Sequence, residues 1–189
     1  MMSSIKPVNI QQWIATNRHL LRPPVGNKVI CHDGGVIVMG VGGPNARKDF
    51  HVDPAEEFFQ QIEGDMLLRI VENGRIVDVP IRAGEMLLLP PGIPHSPQRY
   101  PDTVGIVIEG RRPAGGLDGL QWYCERCQQL LYEEFFVLTN IETQFPPVFD
   151  RFFGSLELRT CKHCGHVMEP PAPAGAAVGA TTSSASKQP

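Results

Sequence analysis

Two cysteine pairs carry the plainest chemistry in the sequence. Cys124 and Cys127 form one C-x-x-C turn, Cys161 and Cys164 a second, with residues 128–160 between them. Each turn brings two thiolates to one point, and two such turns supply the four ligands of a closed tetrahedral site that suits Fe or Zn. Four thiolates leave no open position, so the chemistry expected there is structural. Disulfides and a thioredoxin-like redox pair fit less well, because the pattern is duplicated and nothing in the N-terminus MMSSIKPVNIQQW has the layout of an export signal. Cys31 stands alone and reads as a packed thiol. His163 and His166 lie beside the second pair but are not needed as ligands. Upstream, His51, Glu57 and His95 sit among Gly43, Gly64, Gly84 and Gly92. One histidine in a β-rich chain says little about metal; the arrangement has to decide.

That arrangement resembles the two cupin motifs. Residues 43–64 give Gly43, His51, Asp53, Glu57 and Gly64; residues 84–99 give Gly84, Pro90, Gly92, His95 and Arg99. Two positions depart from the pattern. Asp53 replaces the second histidine of His-x-His, and Arg99 replaces an asparagine. The resemblance then leaves His51, Glu57 and His95 as ligands. Two imidazoles and a carboxylate leave coordination positions open, as non-haem Fe(II) oxygen chemistry requires. Strand parity places Arg47 with His51, Arg99 with His95, and Phe59 and Gln61 with Glu57. Arg47 and Arg99 can therefore point into the same barrel, the alternative being surface charges. Glu109 ends an apolar strand and needs a cationic partner if drawn inside, an inward arginine being the expected one. Asp53 and Glu56 are expected in solvent or behind the ligands. The segment Cys161-Lys-His-Cys164-Gly165 has the form of a rubredoxin-type knuckle.

The runs VGGPNARKDFHVDPAEEFFQQIEGD, LLLPPGIPHSPQR and VIEGRRPAG, with PPVGN and the C-x-x-C pairs, resemble the bacterial form of the 3-hydroxyanthranilate dioxygenase family from about residue 7 to 168. The resemblance implies an Fe(II) enzyme that opens the ring of 3-hydroxyanthranilate with O₂. Its product would be 2-amino-3-carboxymuconate 6-semialdehyde, which cyclises to quinolinate, an NAD precursor in kynurenine-type tryptophan breakdown. It implies His51, Glu57 and His95 as iron ligands, and Arg47, Arg99 and Glu109 as catalytic and substrate-holding residues. Asn27, on the PPVGN loop, would help close the pocket. It favours Fe over Zn on the cysteines, though spacing alone leaves both open. A guanidinium grips a carboxylate in a planar fork, so Arg99 is the first choice of carboxylate anchor. Arg47 either shares that role or acts on the oxygen.

These residues need elements to hold them. Asn9, with Gln12 three residues on, has the look of a helix cap, and Trp13, Ile14, Leu20 and Leu21 follow at helical spacing. From about residue 28 to 110 short β-rich runs alternate with Gly, Pro and Asn-Gly turns, and Asn73-Gly74 is a two-residue hairpin signal. The fold class expected is all-β: a cupin-type β-barrel (jelly roll) with a short N-terminal helix and a small C-terminal rubredoxin-like metal-binding unit. The divisions expected are 1–115 for helix and barrel, 116–168 for the tetracysteine extension and 169–189 for a disordered Pro/Ala/Ser-rich tail. Within the extension, PPVFDRFFGS suggests a helix opening at its prolines.

Composition narrows the partners. The net charge of −3 carries no basic stripe, which argues against nucleic acid. No apolar run approaches the roughly 20 residues of a membrane span. We expect a cytosolic homodimer whose partners are a small aromatic substrate and O₂. Competing functions are a dioxygenase of a related aminophenol or catechol, a non-enzymatic cupin ligand sensor, and a rubredoxin-like electron carrier, which would leave the barrel unexplained.

Overall fold

The computed structural model describes residues 6–23, 26–33, 35–45 and 47–171. Asn9 begins the first element: its side-chain oxygen accepts a hydrogen bond from the Gln12 N–H at 3.0 Å and caps α1, Ile10–Asn17. A 3-10 turn, Arg18–Leu20, follows. Ile14 and Leu21 pack with Val104 in a small core beneath the helix. Trp13 lies against Gly40, where a Cβ would stand 2.4 Å from the indole, so any side chain there would lift the helix off the strand.

The strands are β1 (Asn27–Asp33), β2 (Val36–Gly42), β3 (Asp49–Val52), β4 (Glu57–Glu63), β5 (Met66–Glu72), β6 (Arg75–Ile81), β7 (Met86–Leu89), β8 (His95–Arg99), β9 (Val104–Glu109), β10 (Asp118–Tyr123) and β11 (Leu130–Phe136). They form two antiparallel sheets, ordered β1-β2-β9-β4-β7 and β11-β10-β3-β8-β5-β6. This is the cupin-type barrel implied by the glycine and histidine motifs. Phe59, Leu68, Leu89 and Val107 fill the space between the sheets. β4 alternates accordingly: Glu57, Phe59 and Gln61 are buried, while Phe58 and Gln60 face outward and are half-buried. Asn73 and Gly74 take positive φ angles of 50° and 73°, the geometry of a tight hairpin between β5 and β6.

The C-terminal segment grows out of the barrel. β10 pairs with β3 on one side and β11 on the other, so the chain after residue 116 continues the sheet that carries His51. Helix α2, Ile141–Gly154, covers this extension with Phe145, Val148 and Phe152, and Phe152 stacks on the fully buried Trp122 at 4.5 Å. The expectation that the helix opens at its prolines needs correction, since Pro146 and Pro147 lie inside it. Local capping starts it earlier: Asn140 Oδ1 accepts from the Thr143 N–H, and the Gln144 side chain accepts from the N–H groups of Thr139 and Asn140. A short α3, Leu156–Arg159, leads to the second cysteine pair. Among the described residues no helix is long and apolar enough to cross a membrane. Of the tail expected over 169–189, residues 172–189 lie outside the described residues.

Candidate active site

Both sheets contribute to the site. His51 on β3 and His95 at the head of β8 are direct cross-strand partners in one sheet. Glu57 at the head of β4 comes from the other sheet, where it is paired with Glu109 at the end of β9. All four are buried. The ligand atoms of His51, Glu57 and His95 lie within 4.8 Å of one another. Glu57 Oε1 is 3.0 Å from His95 Nε2 and 3.5 Å from His51 Nδ1, yet it takes no hydrogen bond of good geometry.

Electrostatics tie the cluster together. Burial works against the Glu57 charge, but the His95 and His51 rings outweigh it and hold the carboxyl well below its usual range. Burial likewise opposes protonation of His51, but its bond to Asp118 and the nearby Glu57 carboxylate win and raise it to about 9. An orphaned carboxylate oxygen facing two imidazole nitrogens is a setting that a divalent cation fits, taking the place of a proton.

The arginines take distinct places. Arg47 is ion-paired to Asp49 and half-buried, within electrostatic reach of Glu57 and Glu109. Arg99 is 6% exposed. Among the described residues it meets no carboxylate; its Nη1 donates a long 3.4 Å bond to the Gln61 amide oxygen. Burial, then Arg47, lowers its pKa to about 10, so it stays charged at neutral pH. Gly105 leaves it room: a Cβ there would stand 3.0 Å from Nη1. Asn27 sits exposed at the head of β1, paired with Val41.

Glu109 does find a cation, but not the one expected. Its partner is Arg112, at 3.2 Å, and neither Arg47 nor Arg99. Arg112 also binds both oxygens of Asp118, at 2.8 and 2.9 Å, and Asp53 at 3.0 Å. Asp118 in turn lies 2.9 Å from His51 Nε2. Burial raises Asp53 to about 6, against a bond from the Ala55 N–H and the nearby Arg112. Sequence reasoning missed Arg112 and Asp118. They belong to a Gly/Pro-rich stretch without motif spacing; the pairing of β10 with β3 brings Asp118 in, and Arg112 follows through its bonds to Asp118. Phe145 of α2 also packs edge-on against His51, at 5.4 Å between centroids.

The four cysteine sulfurs converge within 4.8 Å, with Cys124–Cys164 at 3.6 Å and Cys127–Cys161 at 3.5 Å, and none is in a disulfide; Cys31, expected as a packed thiol, is instead exposed on β1. The two turns match. The N–H groups of Gln128 and Gly165 donate to the carbonyls of Cys124 and Cys161, each at 2.8 Å. Gln128, at φ 60°, occupies the left-handed position that Gly165 fills at φ 73°. Burial disfavours the Cys161 thiolate, but the backbone N–H groups of Cys164 and His163 outweigh that and lower its pKa to about 6. Such a knuckle pair fits a tetrathiolate metal. Cys124 directly follows β10, so one strand joins this site to the barrel cluster.

A family model of 3-hydroxyanthranilic acid dioxygenase matches residues 2–153. The 3-hydroxyanthranilate 3,4-dioxygenase of Xanthomonas euvesicatoria pv. vesicatoria is 57% identical over 167 residues, 88% of this chain and 94% of that protein. The enzyme of the same name from Jannaschia sp. is 48% identical over 174 residues, 90% and 97% of the two chains. Among solved structures, a cupin-2 domain containing protein from Shewanella frigidimarina is 19% identical, with a TM-score of 0.44 over 56% of this chain and 94% of that one. Barrel, buried cluster and relatives together define a metal-dependent dioxygenase of the cupin type. The chain belongs to the 3-hydroxyanthranilic acid dioxygenase family.

Proposed function

We propose that the chain converts 3-hydroxyanthranilate and O₂ to 2-amino-3-carboxymuconate 6-semialdehyde, the quinolinate precursor, with Fe(II) held by His51, Glu57 and His95. The carrying observation is a buried His–Glu–His cluster with an orphaned carboxylate oxygen, sharing a barrel with a buried guanidinium that meets no carboxylate among the described residues. Fe(II) held there would supply redox-active Lewis-acid chemistry to the adjacent amino and hydroxyl groups of the ring and to O₂. The chain supplies the rest. Arg99 grips the substrate carboxylate. Arg47 lies nearer Glu57 and Glu109 and stabilises negative charge that develops beside the cluster. Glu109, held by Arg112, accepts a hydrogen bond from a ring substituent. Asn27, the last residue of PPVGN, helps close the entrance. The four cysteines hold a structural Fe or Zn.

We assign the enzyme to the cytoplasm as a homodimer. The outer face of one sheet supports the dimer: Leu88, Phe58, Ile108, Val38 and Cys31 form one continuous cross-strand row. Leu88 in that row is 62% exposed. O₂ uptake by the ferrous protein tests the activity. We expect rapid uptake with 3-hydroxyanthranilate and slow uptake with 2-aminophenol or catechol. The reverse order would assign the site to a related aminophenol or catechol.

A further inference from the structure

The two histidines of the cluster are held in different ways. His95 Nδ1 lies 3.0 Å from the backbone carbonyl of Ile93, a partner no substitution can remove. His51 depends on a side chain. Asp118, fully buried at the start of β10, places Oδ1 2.9 Å from His51 Nε2. Leu120, on the same face two residues later, is the direct cross-strand partner of His51, so the strand pairing sets this approach. A carboxylate accepts only, so a proton on Nε2 faces Asp118, while Nδ1 is turned toward Glu57 and would be the nitrogen left to a metal.

A buried carboxylate with one imidazole partner would be costly, and Arg112 supplies the compensation. Its fork takes both oxygens of Asp118 and reaches Asp53 and Glu109. This also settles the character of a neighbouring group. His51, Asp53 and Asp118 could by themselves surround a cation. The guanidinium already fills that role, which leaves the Glu57 side of His51 for the metal.

We propose that Asp118, clamped by Arg112, is a positioning residue that fixes the His51 tautomer and thereby sets the affinity of the barrel site for its metal. The inference rests on the reading that His51, Glu57 and His95 bind that metal. Carboxylate partners of ligating histidines typically contribute about 10- to 100-fold in metal affinity. Asparagine cannot replace the aspartate here. Its NH₂ group must face either an arginine N–H or His51 Nε2, and the latter arrangement favours the opposite tautomer.

The test is anaerobic Fe(II) binding by chelator competition on the full chain, with the metal on the cysteines counted separately. Wild type, Asp118→Ala, Asp118→Asn and His51→Ala are compared. We expect one Fe(II) per wild-type chain beyond the cysteine metal, and none retained by His51→Ala. Both Asp118 variants should bind about 10- to 100-fold more weakly while keeping the cysteine metal and a cooperative melt. A merely space-filling role would make Asp118→Asn bind like wild type, and that result overturns the proposal. Should Asp118→Ala not fold, the isosteric Asp118→Asn decides alone. A wild-type chain that takes up no iron beyond the cysteine metal would instead overturn the reading of the triad.

Discussion

Arg99→Ala separates binding from stability. Arg99 lies four residues beyond His95 on β8, about 13 Å along the strand, far enough for a substrate ring to sit between metal and guanidinium. Removing the fork removes charge-assisted hydrogen bonds to the carboxylate worth about 1.5–3 kcal/mol. That corresponds to about a tenfold to hundred-and-fiftyfold loss in kcat/KM for 3-hydroxyanthranilate. 2-Aminophenol has no carboxylate, so its already low kcat/KM should hardly change, and discrimination between the two should narrow by the same factor. Stability should behave differently. A buried cation without a carboxylate is an electrostatic cost in the free protein, and its removal offsets the packing lost with the stem. The melting temperature should move by no more than about 2–4 °C, with iron content unchanged. Steady-state O₂ uptake with both substrates, alongside calorimetry, checks all three quantities. Equal slowing of both substrates would refute the anchor and make Arg47 the better candidate.

The other outcomes concern metal, fold and assembly. His51→Ala should lose the barrel metal and essentially all turnover while elemental analysis still finds the cysteine metal. Cys161→Ser should do the opposite, losing the cysteine metal and lowering the melting temperature while the soluble fraction retains measurable ring opening. Phe152→Ala removes the ring stacked on Trp122 and should cost about 3–5 kcal/mol in denaturant unfolding. Leu88→Glu places a charge in the outer apolar row and should shift the molecular mass in light scattering toward the monomer; an unchanged dimer would place the interface elsewhere.

Local spacing made much of the fold and the cysteine site legible. The Asn9 cap, the Asn73-Gly74 hairpin and the two C-x-x-C turns are each decided within a few residues. His51, Glu57 and His95 are readable because glycines flank them at motif spacing, and the strands bring their ligand atoms together. What the sequence hid depends on non-local pairing. Arg112 and Asp118 sit in a stretch that reads as a linker; Asp118 reaches His51 because β10 adds to β3, and Arg112 comes in on Asp118. Glu109 offered a choice of arginines by parity, yet the one it takes lies three residues along the chain, beyond the end of its own strand. The start of α2 was obscured because its prolines looked like an N-terminus, whereas Asn140 and Gln144 provide the capping.

The most direct test of the account is oxygen labelling. The ferrous protein is mixed with 3-hydroxyanthranilate under ¹⁸O₂, and the quinolinate formed on cyclisation is examined by mass spectrometry. Ring opening places one labelled oxygen in the new carboxylate and one in the aldehyde, and cyclisation expels the latter as water. The account predicts one ¹⁸O per quinolinate, none when the label is in the water, and no quinolinate from His51→Ala. Oxygen consumption without labelled quinolinate, or labelling that survives in His51→Ala, would contradict it.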